Sequence, residues 1–272
     1  MALKAAEAAD SERGQLRRKI LGDEASLEDT RLALRLIVNH AAGNTRSNLE
    51  ALLLPEEPAV AKRLHASLRD EAEGWMSSLS AATERFDQWL RSSLAAEMGE
   101  LSSRRRKEFM APVHRTGKQL AQALQDFRNR LSENVLETLG VPLRTTEVEM
   151  RAEEPKAPDV RVGKIYDRNW ELLSWLIPMP LVRGLVKRHF HAKVDRIVPI
   201  NLSRLVAQWS DAVNGALAAL GKDAQRRLAD LVATVDKLTA AAGQQAPQIR
   251  ADLNQLESLR QLVRSRRDEP LE

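Results

Sequence analysis

From Val60 to Leu101, apolar residues recur at steps of three, four or seven positions and no proline intervenes. The stripe is Val60, Leu64, Leu68, Trp75, Leu79, Ala82, Phe86, Trp89 or Leu90, Leu94, Met98 and Leu101. This spacing keeps one face of an α-helix apolar, and a strand does not use it. About forty residues at about 1.5 Å each make a helix of roughly 60 Å, longer than a compact domain of this size would be.

The flanking segments follow the same pattern. Residues 1–15 are Ala-rich and polar and are expected to fray. A stripe then runs through Leu16, Ile20, Leu27, Leu34, Ile37, Val38, Ala41, Leu49, Leu52 and Leu53, interrupted at Gly22 and Gly43. Each glycine costs about 1 kcal/mol relative to Ala inside a helix. Pro55 and Pro58 close this helix and open the next, as proline does in a first turn. After residues 102–107, SSRRRK, the stripe resumes at Phe109, Val113, Leu120, Leu124, Phe127, Leu131, Val135 and Leu139. Pro112 either kinks this helix or marks its start. Gly140 with Val141-Pro142 is a stop signal. A later stripe holds Phe190, Val194, Ile197, Val198, Leu205, Trp209, Val213, Leu217 and Leu220, with a kink expected at Pro199 and a break or cap at Gly221. Leu228, Leu231, Val232, Val235 and Leu238 form the last helix. Gly243 and Pro247 interrupt it, and it resumes through Ile249, Leu253, Leu256 and Leu262 to a charged tail.

Residues 143–165 differ in character. LRTTEVEM alternates and is β-branched, RAEEPKAPD is a Pro-punctuated connector, and VRVGKI suits a second short strand. One small β hairpin is the most these residues support. The expected fold is therefore all-α, an elongated antiparallel bundle of long helices with a hydrophobic tip. Its parts are an ascending trunk over 1–142, a connector over 143–165, the tip and a basic helix over 166–200, and a returning trunk over 201–272.

The tip begins with Trp170 and Trp175. Leu172 to Val182 is an eleven-residue run without a charge, broken by Pro178 and Pro180. Arg183, Lys187, Arg188, Lys193 and Arg196 follow against one acid, Asp195. An apolar, Trp-bearing segment ahead of a basic helix suits insertion into a lipid surface. Spanning a bilayer takes roughly 20 apolar residues, so this run is too short to cross. The competing reading is a buried core corner or a knob that docks a protein partner.

Composition narrows the function classes. With 4% aromatic and 29% charged residues, usage is that of helices packed side by side. The net charge of +4 and pI near 9.5 permit contact with anionic lipid without requiring it. Nucleic acid is not expected as a partner, because the positive excess is small and local. With no cysteine there is no disulfide, thiol nucleophile or Cys-based zinc site. The N-terminus carries no apolar signal segment.

No catalytic set is legible. The Gly-Lys pairs at 117, 163 and 221 lack the following Ser or Thr and the earlier Gly of a phosphate-binding loop. His189 and His191 stand two apart and point to different sides of a helix, against a metal site. His40, His65 and His114 are isolated. Trp75 and Trp89 lie on the apolar stripe and read as core. The run Arg104 to Lys107 suits a surface turn between helices. No cofactor or metal is expected, and no enzyme activity.

The segments YDRNWELLSWLIPM from Tyr166, RGLVKRHF from Arg183 and NLSRL from Asn201 resemble the helical part of bacterial dynamin-like proteins. The specific likeness covers 166–209; the earlier helices match only as a pattern. The resemblance implies a stalk whose far end carries a hydrophobic paddle. Trp170, Leu172, Leu173, Trp175, Leu176, Ile177, Met179, Leu181 and Val182 would then face lipid. Arg183, Lys187, Arg188 and Lys193 would meet anionic headgroups. It also implies homo-oligomers, a cytoplasmic protein peripheral at the inner face of the membrane, and a GTPase head. The head's motifs are missing here, so a head would have to come from another chain. A fragment, a split-gene product and a headless relative all fit that absence.

Overall fold

The computed structural model describes residues 2–22, 24–140, 150 and 179–267, with side chains over 11, 13–22, 25–140, 150 and 182–241. Within them every regular element is helical. These are α1 (Ala2–Leu21), α2 (Glu24–Leu53), α3 (Glu57–Ala72), α4 (Leu79–Leu139) and α5 (Met179–Arg267). Single 3-10 turns lie at Leu54–Glu56 and Glu73–Trp75. The protein is an all-α helical bundle. The hairpin expected near 143–165 falls outside the described residues, Met150 apart.

The helix ends follow local chemistry. Gly22 and Gly140 adopt φ of 76° and 67°, a left-handed conformation that stops α1 and α4 and that side chains resist. At the α4 end the Gly140 N–H donates to the Leu136 carbonyl at 2.9 Å. Pro58 sits in the first turn of α3, where no N–H is needed. Ser78 precedes α4 and its hydroxyl accepts the Ala81 N–H at 3.2 Å, an N-cap.

Several expected interruptions do not occur. Residues 2–15 belong to α1, Gly43 lies inside α2, and residues 102–107 lie inside α4. Pro112 and Pro199 sit within α4 and α5, and Gly221, Gly243 and Pro247 fall inside α5. A helix that buries an apolar face survives the loss of one hydrogen bond at a proline. Conversely, the stripe from Val60 to Leu101 is two helices, not one. The chain leaves helical geometry after Trp75, where Met76 has ψ of 32°.

The chain divides into two compact units. One comprises Met1–Ile37, Lys118–Met150 and Gly221–Glu272; the other comprises Val38–Gly117 and Arg151–Leu220. In the first unit Ile20, Leu27, Leu34, Leu120, Leu124, Phe127, Leu131, Val135, Leu228 and Val235 are buried. Arg17 pairs with Asp236 at 2.7 Å. Asn134 donates to the Ile20 carbonyl at 2.9 Å, satisfying an acceptor that the end of α1 leaves open.

In the second unit the stripe of α3 (Val60, Leu64, Leu68, Ala72) packs with Leu79 to Val113 of α4 and Val186 to Leu220 of α5. Phe86 stacks on Phe190 with ring centroids 4.0 Å apart and planes 3° off parallel. Farther along, Trp209 is fully buried, lies 4.9 Å from the Phe109 ring and donates Nε1–H to the Ser102 hydroxyl at 2.9 Å. Residue numbers therefore rise together in α4 and α5, which run in the same direction here. The antiparallel expectation holds for α3 against each of them: Arg63 pairs with Glu97, and His65 with Asp195, while Glu73 meets Arg183. Short turns force antiparallel neighbours; the long sequence separation between Leu139 and Met179 imposes no such rule.

Buried positions in α4 (Thr116, Leu120, Leu124, Phe127, Leu131, Val135) step by four, four and three. Three turns per eleven residues lies near the natural helical repeat, so the stripe stays on one face without strong supercoiling. Trp209→Ala should destabilise the fold by about 3–5 kcal/mol through the cavity it leaves. Trp209→Phe keeps most of the ring but strands the buried Ser102 hydroxyl, at about 1–3 kcal/mol. Urea unfolding followed by circular dichroism ranks the two; equal midpoints with the unmutated chain would refute the assignment of Trp209 as a core anchor.

Candidate functional site

Four α5 residues, Arg183, Lys187, His191 and Asp195, recur at steps of four and form one polar row facing α3. The row lies beside the apolar row Val186, Phe190, Val194 and Val198, all buried. The apolar row fixes the height of α5 against α3 and α4. The polar row is thereby brought onto α3 side chains.

At the start of α5, Glu73 accepts hydrogen bonds from both Arg183 and Lys187. The bond from Lys187, then the charges of Lys187 and Arg183, hold the Glu73 carboxyl below the ordinary carboxylate range. Two turns on, His65 of α3 stands between two partners. Its Nδ1 lies 2.7 Å from Nδ1 of His191, and its Nε2 lies 2.6 Å from Oδ1 of Asp195. The two imidazole centroids are 4.9 Å apart and tilted by 34°. Two ring nitrogens at hydrogen-bond distance hold a single proton between them: one must donate and the other accept. Burial pushes the His191 pKa down, and the neighbouring His65, Arg69 and Lys187 push it the same way against the opposing pull of Asp195.

Between the two polar clusters lies a cleft of about 260 Å³. Leu68, Ala72 and Phe190 line it with apolar surface, and Arg69, Glu73, Lys187 and His191 give it charge. Among the described residues no three His, Asp or Glu side chains converge as a metal site requires. His65 directs its two nitrogens to opposite partners, so the cluster has no common centre.

Of the proposed lipid-facing residues, Trp170, Leu172, Leu173, Trp175, Leu176 and Ile177 lie outside the described residues. Met179 and Leu181 belong to the first turn of α5. Val182 is half-buried, and Leu185, not singled out from sequence, is 68% exposed. Of the headgroup candidates, Arg183 and Lys187 are engaged by Glu73, Arg188 is exposed and Lys193 is half-buried. Trp75 and Trp89 are core, as the stripe implies, with ring centroids 5.8 Å apart. The run Arg104 to Lys107 is no turn; it lies on α4, where Arg104 and Arg105 pair with Glu56 at 3.1 and 2.8 Å. His189 and His191 do face different ways, but His65 is not isolated. Its partner is 126 residues away in sequence. Only the four-residue spacing of 183, 187, 191 and 195 hinted at a shared face. Comparison with protein families, curated proteins and solved structures finds no match for this chain.

Because the folded chain holds His191 below its ordinary value near 6.5, the unfolded chain takes up more protons as pH drops. Stability from this group is therefore complete above about pH 6.5 and is lost as pH falls below it. The Glu73 carboxyl is shifted in the same direction, and its contribution persists until pH falls below about 4.5. Urea midpoints between about pH 7.5 and about pH 5 should decline in the natural chain and decline less in His191→Asn, whose amide keeps a donor near Nδ1 without titrating. A decline of equal steepness in both would exclude His191 as its source.

Proposed function

We propose that this chain is a non-catalytic helical stalk that attaches to an anionic lipid surface through the start of α5 and the apolar segment before it. One observation carries the reading. Leu185 is 68% exposed, and Arg188, one turn on along the same face, is exposed beside it, directly following the uncharged run Leu172 to Val182. A large apolar side chain in water beside a cation is favourable where acyl chains meet phosphate headgroups. Among the described residues no helix is long and apolar enough to cross a membrane, which favours shallow attachment over spanning.

The setting we propose is a dynamin-like membrane-remodelling or tethering system, on the resemblance of residues 166–209. In it the chain supplies the stalk and paddle, a GTPase head comes from another polypeptide, and copies of the chain associate through their helical faces at the inner face of the membrane in the cytoplasm.

The membrane part is tested by flotation with neutral and anionic vesicles at low and moderate salt. Binding should require anionic lipid, weaken in part with salt, and fall in Leu185→Glu and Trp175→Glu. Leu185 is exposed, so its substitution leaves the core intact. Absence of flotation under every condition would replace this reading with a protein-docking role for residues 170–182.

Glu73 competes with lipid for Arg183 and Lys187. Glu73→Gln should therefore tighten binding to anionic vesicles by about fivefold or more, since each cation near the surface is worth about 1 kcal/mol. Binding to neutral vesicles should not change. Unaltered or weaker anionic binding in Glu73→Gln would show that these two cations do not face the headgroups.

A further inference from the structure

The pairing of His65 with His191 joins α3 to α5 on the seam that positions the start of α5. We propose that this imidazole pair is a proton-operated latch: entry of a second proton between the rings opens the α3–α5 seam and frees the basic start of α5 for an anionic lipid surface. The lipid half rests on the membrane reading above; the latch itself does not.

The geometry supplies the mechanism. With one proton between the Nδ1 atoms, the rings form a hydrogen bond at 2.7 Å, and the far nitrogen of His65 is held by Asp195 at 2.6 Å. One further proton can lodge on the outer nitrogen of His191 and leave this bond intact; when each ring has taken one from solvent, two N–H groups face each other and the bond becomes a repulsion between two imidazolium charges. Arg69 on α3 and Lys187 on α5 add to the repulsion; Asp195 opposes it, and its Oδ1 is already hydrogen-bonded by His65. Glu73, engaged by Lys187 and Arg183, stays ionised through mildly acid pH, because those cations hold its carboxyl low. Once the His65–His191 contact is broken, the exposed Glu73 pairs remain as the tie of this turn to α3; weak on their own, they part as the seam opens and release Arg183 and Lys187. Acidification also adds positive charge to a cleft that already carries Arg69 and Lys187.

The test uses the full chain without lipid. Hydrogen exchange, corrected for its intrinsic pH dependence, is followed at about pH 7.5 and about pH 5, spanning the range in which imidazoles titrate. Protection over residues 65–72 and 187–195 should fall several-fold on acidification and recover on return to neutral pH. His191→Asn and His65→Asn should each remove that pH response while keeping protection elsewhere. Equal protection at both pH values, or a response that persists in both variants, overturns the latch. Flotation on anionic vesicles at the same two pH values then tests its coupling. Stronger binding at the acid value in the natural chain, absent in His191→Asn, supports it. Flotation with no pH dependence overturns the coupling, whereas no flotation at either pH overturns the membrane reading and leaves the exchange result to decide the latch.

Discussion

The stack of Phe86 on Phe190 governs the end of the second unit that carries the site. The two ring planes are nearly parallel with centroids 4.0 Å apart, and Phe190 is buried. Trp89 meets Phe86 at 5.8 Å and Trp75 meets Trp89 at the same distance, so one aromatic cluster joins the region after α3, the first turns of α4 and the start of α5. Aromatic rings bury large areas and tolerate few relative placements, so this cluster fixes register as well as affinity. Shift α5 by one residue and Phe190 leaves its partner, while Lys187 and His191 leave theirs.

The polar row depends on that register. Surface ion pairs contribute little to stability on their own, and the Glu73 pairs are exposed. Their importance lies in which groups they occupy. Glu73 engages two of the four cations proposed to meet headgroups, and His65 engages the only acid among the charged residues from Arg183 to Arg196. The seam therefore sets how much positive charge the start of α5 can offer.

Much of the helical framework was legible because amphipathic periodicity is a local property. Val60, Leu64 and Leu68, or Val213, Leu217 and Leu220, are buried where the stripe places them. Gly140 stops α4 because a left-handed residue there closes the helix wherever it sits. Local signals misled where burial outweighed them. Gly43 read as an interruption and Gly221 as a break or cap, yet each lies in a helix whose neighbouring turns are buried, and Pro112 does not start a helix but sits inside α4. The break after Trp75 was hidden for the opposite reason, since Trp75 and Leu79 stay buried across it and the stripe runs on without a gap.

The sequence by itself determined that the chain is all-α, which faces are apolar, and that an uncharged Trp-bearing run leads into a basic helix. These follow from residue type and spacing over a few turns. Only the tertiary structure decided that α4 and α5 run in the same direction in the second unit, that Glu73 holds Arg183 and Lys187, and that His65 meets His191. Those outcomes depend on the register between helices far apart in sequence. Register is fixed by how side chains such as Phe86 and Phe190 interlock, and no periodicity within one helix encodes it.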